Sequence, residues 1–334
     1  MKPMEETTVI YIENNVTDPF FNFALEYYLM TEKNLNEDQV FIFWRTEPTL
    51  MIGKYQNTIE EINEIFARNH GVKVVRRITG GGTIYTDMGG WQFSFITRGQ
   101  AETIDFNKYI GPVIAGLEKL DVPTEFNSRN DLVIHGKKFS GNAQCLLNGY
   151  TLHHGSLLFN TDFEQMVKCL TVDDNKIISK GIKSAKERVT NISEYLKELI
   201  DMDTFRQLMV ESIMQGSKKE YRLNDDDLER IHTIAKEKFE SWNWNYGESP
   251  KFNIIRTGRF DGGKMEFKMD VNKGKITDCH IYGDFFGSID ILVLCHALIG
   301  CNYERESIKK AIEQCDIKKA FYNINEEELA DIIC

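Results

Sequence analysis

The chain has 334 residues, 42% hydrophobic, 27% charged and 11% aromatic, with 40 Lys plus Arg against 51 Asp plus Glu for a net charge of -11. That composition excludes disorder as the main state, and the acidic balance argues against a nucleic-acid partner, so any polyanion site must be local. Among the longest apolar runs, 289–299 is broken by Asp290 and His296 and falls short of the roughly 20 residues a bilayer crossing needs, so no membrane role is expected.

Residues 1–8 carry Glu5 and Glu6 and no basic-then-apolar run, so no secretory leader is expected and the cytoplasmic compartment is. Residues 9–12 predict a strand. Asp18, with Pro19 at a first helical position, opens a helix in which Phe20, Phe23, Ala24, Tyr27 and Tyr28 recur at helical spacing. Short β-type runs follow at 40–44, 49–52, 72–75, 83–85, 91–96, 132–134, 138–140 and 153–159, separated by Gly, Asn and Asp. So many strands with few helices between them predict an α+β fold rather than a doubly wound parallel sheet. Helical periodicity covers 106–120, 162–170, 192–199, 203–216 and 225–239, the last opening in an acidic turn. Residues 242–250 (WNWNYGESP) break the pattern and are expected to link a domain over 1–241 to a smaller one over 251–334. The smaller part predicts strands at 252–256, 265–271 and 275–282 and helices near 289–298 and 305–315. Seven scattered cysteines without a CxxC pair are expected to be mostly reduced, buried thiols.

Residues 76–87 (RRITGGGTIYTD) place two arginines at the end of an apolar strand, then three glycines, then a second strand. Bare glycine backbone lets a ligand approach N–H groups closely, and Arg76 or Arg77 supplies cationic donors, so an anionic or elongated ligand suits the bend. A strained hairpin is the competing explanation. A Walker A loop does not fit, because no Lys-Ser/Thr and no helix follow, and the GxGxxG spacing is missing. Further on, Asn130 and Asp131 precede an apolar strand, and residues 136–144 (GKKFSGNAQ) set Lys137 and Lys138 on opposite faces of the next, so one can enter a cleft while the other stays in solvent. His153 and His154 must likewise point oppositely, which argues against both binding one metal ion.

Together with residues 153–159 and 180–191 (KGIKSAKERVTN), these blocks resemble the lipoate-protein ligase family in order and spacing, and the tail beyond Trp242 resembles the accessory domain of its long, two-domain members. The resemblance implies a biotin/lipoate-ligase-like α+β catalytic domain with a mixed or antiparallel sheet and flanking helices, plus a small α/β C-terminal domain. It implies ATP, Mg²⁺ and lipoate, and acyl transfer through a lipoyl-adenylate to a lysine of lipoyl domains of 2-oxoacid dehydrogenases or of glycine-cleavage H protein. By resemblance Lys138 is the cation bridging carboxylate and phosphate. Arg77, Thr79, Gly80, Gly81, Gly82, Tyr85 and His154 would hold lipoate; Gly82, Thr83, Ile84, Asn130, Asp131, Lys138 and Lys183 would hold ATP, with Asp131 as the metal contact. Trp44, Tyr85 and Phe159 offer apolar surface for the acyl chain. Residues 176–188 carry five cations against one Glu and suit a segment closing over the adenylate.

Members of the family usually have His where Thr86 stands, Asn where Gly90 stands and a smaller residue at Trp91, and these departures are expected beside the acyl pocket, narrowing the acceptor range. Two alternatives stay open: an ATP-independent lipoyl or octanoyl transferase working through a Cys145 thioester, and a lipoate-binding homologue with impaired catalysis.

Overall fold

The computed structural model describes residues 9–33, 35, 39–56, 58–99, 104–127, 130–170, 187–215, 219–246, 254–272, 274–288, 290–317 and 321–334. The first part of the chain contributes β1 (Val9–Glu13), β2 (Gln39–Trp44), β3 (Thr49–Ile52), β4 (Lys73–Arg76), β5 (Ile84–Thr86), β6 (Gly90–Arg98), β7 (Glu125–Phe126), β8 (Asp131–Ile134), β9 (Lys137–Leu147), β10 (Tyr150–Leu158) and β11 (Glu220–Tyr221). Eight of these form one mixed sheet in the order β11-β1-β2-β6-β10-β9-β8-β7, and β4-β3-β5 form a small second sheet. The fold is α+β, as its strand density predicts.

β1 runs parallel to β2, a pairing that needs a crossover, and the helix Pro19–Thr31 supplies it. Asp18 caps that helix by accepting the Phe20 N–H at 3.0 Å, and Pro19 occupies the first turn, where its missing N–H costs nothing. With Phe21, Phe23, Leu25 and Leu29 all buried, the helix lies between the large sheet and the helix Asp225–Ile234. The opposite sheet face is covered by the helices Asn107–Glu118 and Met202–Met214, giving two cores separated by the sheet.

His153 and His154 take opposite sides. His153 is fully buried, stacks on Tyr109 at 4.9 Å between ring centroids and approaches Asn142 Oδ1 at 3.3 Å. Burial lowers its pKa to about 3. A histidine held neutral below its unfolded value stabilises the fold above that value, and this stability is lost as pH falls from about 6.5 toward 3. Between pH 7.5 and 5 the loss amounts to about 2 kcal/mol by linkage. Urea midpoints across that interval should fall accordingly, and His153→Phe should flatten the dependence; an equally steep profile in the variant would contradict the assignment.

The C-terminal part is an antiparallel meander of β12 (Ile254–Phe260), β13 (Gly263–Asn272) and β14 (Lys275–Gly283), backed by the helices Leu292–Leu298, Arg305–Glu313 and Glu326–Ile333 around a core of its own. Tyr55 from the first part enters that core and stacks on Phe285 at 4.6 Å. Local expectations differ from the structure in several places. Within 192–199 only a 3₁₀ turn forms, Ile192–Tyr195, because Asn191 is tied by its side chain to the Thr161 backbone and the chain turns extended again at Leu196. Trp242–Asn245, expected in the linker, form a short helix pinned to β4: Trp244 Nε1 donates to the Arg76 carbonyl and Asn245 Oδ1 accepts the Arg76 N–H. The last helix escaped the sequence reading although Asn325 caps it by accepting the Glu328 N–H at 2.9 Å. Among the described residues no helix is long and apolar enough to cross a membrane. All seven cysteines are free and five of them buried.

Candidate active site

A narrow cavity lies between the large sheet, the glycine bend and the C-terminal part. Its floor follows strand register. On one row Trp44 of β2 sits opposite Gln92 of β6, Gln92 opposite Ser156 of β10, and the Ser156 hydroxyl accepts the Gly141 N–H of β9 at 3.3 Å. Gly141 in turn pairs with Asp131 of β8. The cavity therefore runs from an apolar end at Phe23, Trp44 and Met51 to a polar mouth at Asn130 and Lys138. Gly155 in this floor leaves no room for a side chain on the far face, where a Cβ would lie 2.3 Å from the Phe93 ring.

At the mouth, Lys138 Nζ and Asp131 Oδ1 approach to 2.7 Å as an ion pair, and the ammonium crosses the space a Gly141 Cβ would occupy. Lys138 also lines a second, open hollow with Asn127, Asp131, Gly136, Met166 and Arg188. It is the cation on the seam between the two.

Opposite the mouth, the Arg77 guanidinium is fully buried, with Nε donating to Thr79 Oγ1, Nη1 to the Met51 carbonyl and Nη2 to the carbonyls of Gly80 and Gly82. Burial lowers its pKa to about 10, so it stays charged at neutral pH. Arg76, also shifted down to about 10 by burial, donates to the carbonyls of Gly53, Lys54, Gln56 and Trp244. Both arginines thus bind loop carbonyls, and Arg77 does so from the cavity wall, where the resemblance places the lipoate carboxylate.

Along the cavity wall, Thr79 Oγ1 meets His154 Nε2 at 2.8 Å, and His154 Nδ1 meets both oxygens of Glu26 at 3.1 and 3.2 Å. Ser94 donates to the same carboxylate and accepts from Trp44 Nε1 at 2.8 Å. Glu26 is completely buried.

The structure brings Arg77, Gly81, Gly82, Thr83, Ile84, Asn130, Lys138 and His154 to the cavity wall, with Thr79 directly behind His154 and Asp131 beside Lys138. Gly80 meets the C-terminal part instead of a bare cleft: a Cβ on it would lie 2.2 Å from the Phe285 carbonyl, which accepts the Gly81 N–H at 3.1 Å. Tyr85 is not at the cavity. It alternates away from Ile84 into the cluster of Leu50, Ile52 and Cys169, with its hydroxyl donating to Gln165. Phe159 packs on Phe205 on the far sheet face. Lys183, and the cationic run apart from residues 187 and 188, lie outside the described residues. Trp91, expected beside the pocket, faces the other side of the sheet, stacked on Phe43 with Arg45 and Arg206 over its ring.

No group of three His, Cys, Asp or Glu side chains that could hold a metal occurs among the described residues. A Mg²⁺ that keeps phosphate oxygens and waters as most of its ligands needs one or two carboxylates, and Asp131 fits that requirement.

The family pattern described as lipoyl protein ligase A/B catalytic domain matches residues 18–214, and that of the bacterial lipoate protein ligase C-terminus matches 249–333. The lipoate-protein ligase LplJ of Bacillus subtilis is 42% identical over 332 residues, covering 97% of this chain and 100% of that protein. The chain belongs to the lipoate-protein ligase family. The ligase shares its fold with Plasmodium falciparum LipL1 solved in complex with lipoate, at a TM-score of 0.78 and 23% identity over 97% of each chain. It also shares it with a lipoate-protein ligase A bound with ATP, at a TM-score of 0.60 and 21% identity over 73% of this chain and 99% of that one.

Several residues that shape the ligase's cavity were not picked out from sequence: Glu26, Gln92, Ser156, Asn142 and Phe286. Glu26 carried a readable signal, a carboxylate three residues after Phe23 on the apolar stripe of its helix. Phe286 carried none, because it reaches the wall from the other domain, packed with Ile104, Phe106 and Ala143.

Proposed function

We propose that this enzyme joins lipoate to ATP, forming lipoyl-adenylate and releasing pyrophosphate, and then passes the lipoyl group to the amine of a lysine on a lipoyl domain of a 2-oxoacid dehydrogenase or on the glycine-cleavage H protein, releasing AMP. The observation that carries the reading is the position of Lys138 on the seam between an elongated, largely apolar cavity and a second open hollow. An acyl chain in the first and a nucleotide in the second would meet at its ammonium, where the repulsion between carboxylate and α-phosphate must be offset. Asn130 borders this meeting point and is itself fixed, its amide donating to the Asn142 carbonyl at 2.8 Å. Asp131 orients Lys138 and would hold nucleotide-borne Mg²⁺, which supplies further positive charge to the phosphates when bound. The Phe286 ring at the mouth would help exclude water from the mixed anhydride.

The Cys145 thioester reading gains no support. Cys145 lies in the core beneath the helix Pro19–Thr31, away from the cavity wall, and burial pushes its thiol up to about 12. Incubation with lipoate, ATP, Mg²⁺ and an apo lipoyl domain or H protein should add a lipoyl group to one acceptor lysine by mass, and omission of ATP should abolish the addition. Equal modification without ATP would overturn the reading.

A further inference from the structure

Gln92 is buried, 3% exposed, yet forms part of the cavity wall. Its Nε2 donates to Thr86 Oγ1 at 2.7 Å, and among the described residues its side chain makes no other hydrogen bond. One N–H of the amide is thus anchored, and its second N–H is left for whatever the cavity holds.

Its distance from the reacting end can be read from the sheet. Gly141, beside the Lys138 ammonium, lies on β9 and Gln92 on β6, with only β10 between them. Two strand spacings are about 10 Å, and an extended eight-carbon acyl chain is about as long. An acid whose carboxylate meets Lys138 therefore brings the far end of its chain to Gln92 and Trp44. Resting on the lipoate-ligase reading of this cavity, we propose that Gln92, held by Thr86, determines acyl specificity by favouring a sulfur-bearing tail over a plain hydrocarbon one.

The chemistry is a matter of unpaired polar groups. A dithiolane offers polarisable sulfurs that weakly accept an amide N–H, and Trp44 gives its ring an apolar face. A methyl terminus offers nothing, so the amide would be desolvated without a partner whenever octanoate binds. A site with such a group discriminates more strongly than an apolar pocket of the same size. Thr86 enters through its hold on Gln92, which gives one of the family departures a physical role at the pocket.

The test compares kcat/KM for lipoate and octanoate, read as pyrophosphate release, in the parent enzyme, Gln92→Leu, Gln92→Met and Thr86→Val, with melting curves for each. The parent should prefer lipoate. Gln92→Leu and Gln92→Met should each lower that preference by about tenfold, and Thr86→Val, which frees the amide to turn, should lower it in part. Gln92→Met is near the parent volume and keeps the test alive should Gln92→Leu fail to fold. An unchanged ratio in a folded Gln92→Met enzyme, or a parent with no preference, overturns the role of Gln92 while leaving the ligase reading intact. A parent that turns over neither acid with ATP removes both.

Discussion

Lys138→Ala should lower lipoate-dependent pyrophosphate release by about 10³-fold, the scale of losing a positioned charge where negative charge develops, and leave the melting temperature within about 2 °C. Two observations set these magnitudes. First, among the described residues no other cation on the wall of the acyl cavity is free to take the place of the lost ammonium. Among the described residues on the cavity wall the cations are Lys138 and Arg77, and Arg77 spends four N–H groups on Thr79, Met51, Gly80 and Gly82. Second, the side chain is about a third exposed and its ion pair with Asp131 is open to water, so removing it costs little stability. The backbone link that holds this part of β9, Thr190 N–H to the Lys138 carbonyl at 3.0 Å, does not involve the side chain. Calorimetry and a pyrophosphate assay on the same preparation check both halves. Normal pyrophosphate release from the folded variant would refute the role of Lys138; a collapsed fold would refute its independence from the scaffold.

What could be read from sequence followed the range of the interactions involved. The Asp18–Pro19 helix start, the strand density and the glycine bend are local features, and they appear where expected. Parity along a strand is a local feature too. Ile84 and Tyr85 are neighbours on β5, so a cavity that takes one cannot take the other, and it takes Ile84. The same alternation sends Trp91 to the face away from Gln92. The partners of Arg76 and Arg77 lay beyond local reading. A guanidinium beside glycines suits an anion, but which acceptors it meets depends on where distant carbonyls fall, and here the loops at 51–56 and 80–82 supply them. Phe285 and Phe286 lie farther still, about 200 residues beyond the bend they cover, and only the folded domain pair shows why Gly80 must lack a Cβ.

Glu26→Ala should cost about 3 kcal/mol, the scale of leaving two buried donors, Ser94 and His154, without their charged acceptor, and raise the KM for lipoate. The reason is a hydrogen-bonded chain with one consistent direction: Arg77 Nε–H to Thr79, the Thr79 hydroxyl to His154 Nε2, and His154 Nδ1–H to Glu26. In that tautomer every donor has an acceptor, and the buried guanidinium at one end is matched by the buried carboxylate at the other. Without the carboxylate, Ser94 and His154 lose their acceptor, the ring is free to turn, and Thr79 no longer fixes the guanidinium that ties the Gly80 and Gly82 carbonyls. Glu26→Gln keeps an acceptor for Ser94 but not the charge, so it should fall between parent and alanine variant in both stability and KM. Urea unfolding of the three proteins beside lipoate titrations measures this order. A Glu26→Ala enzyme as stable as its parent would mean that helix and glycine bend are not coupled through His154.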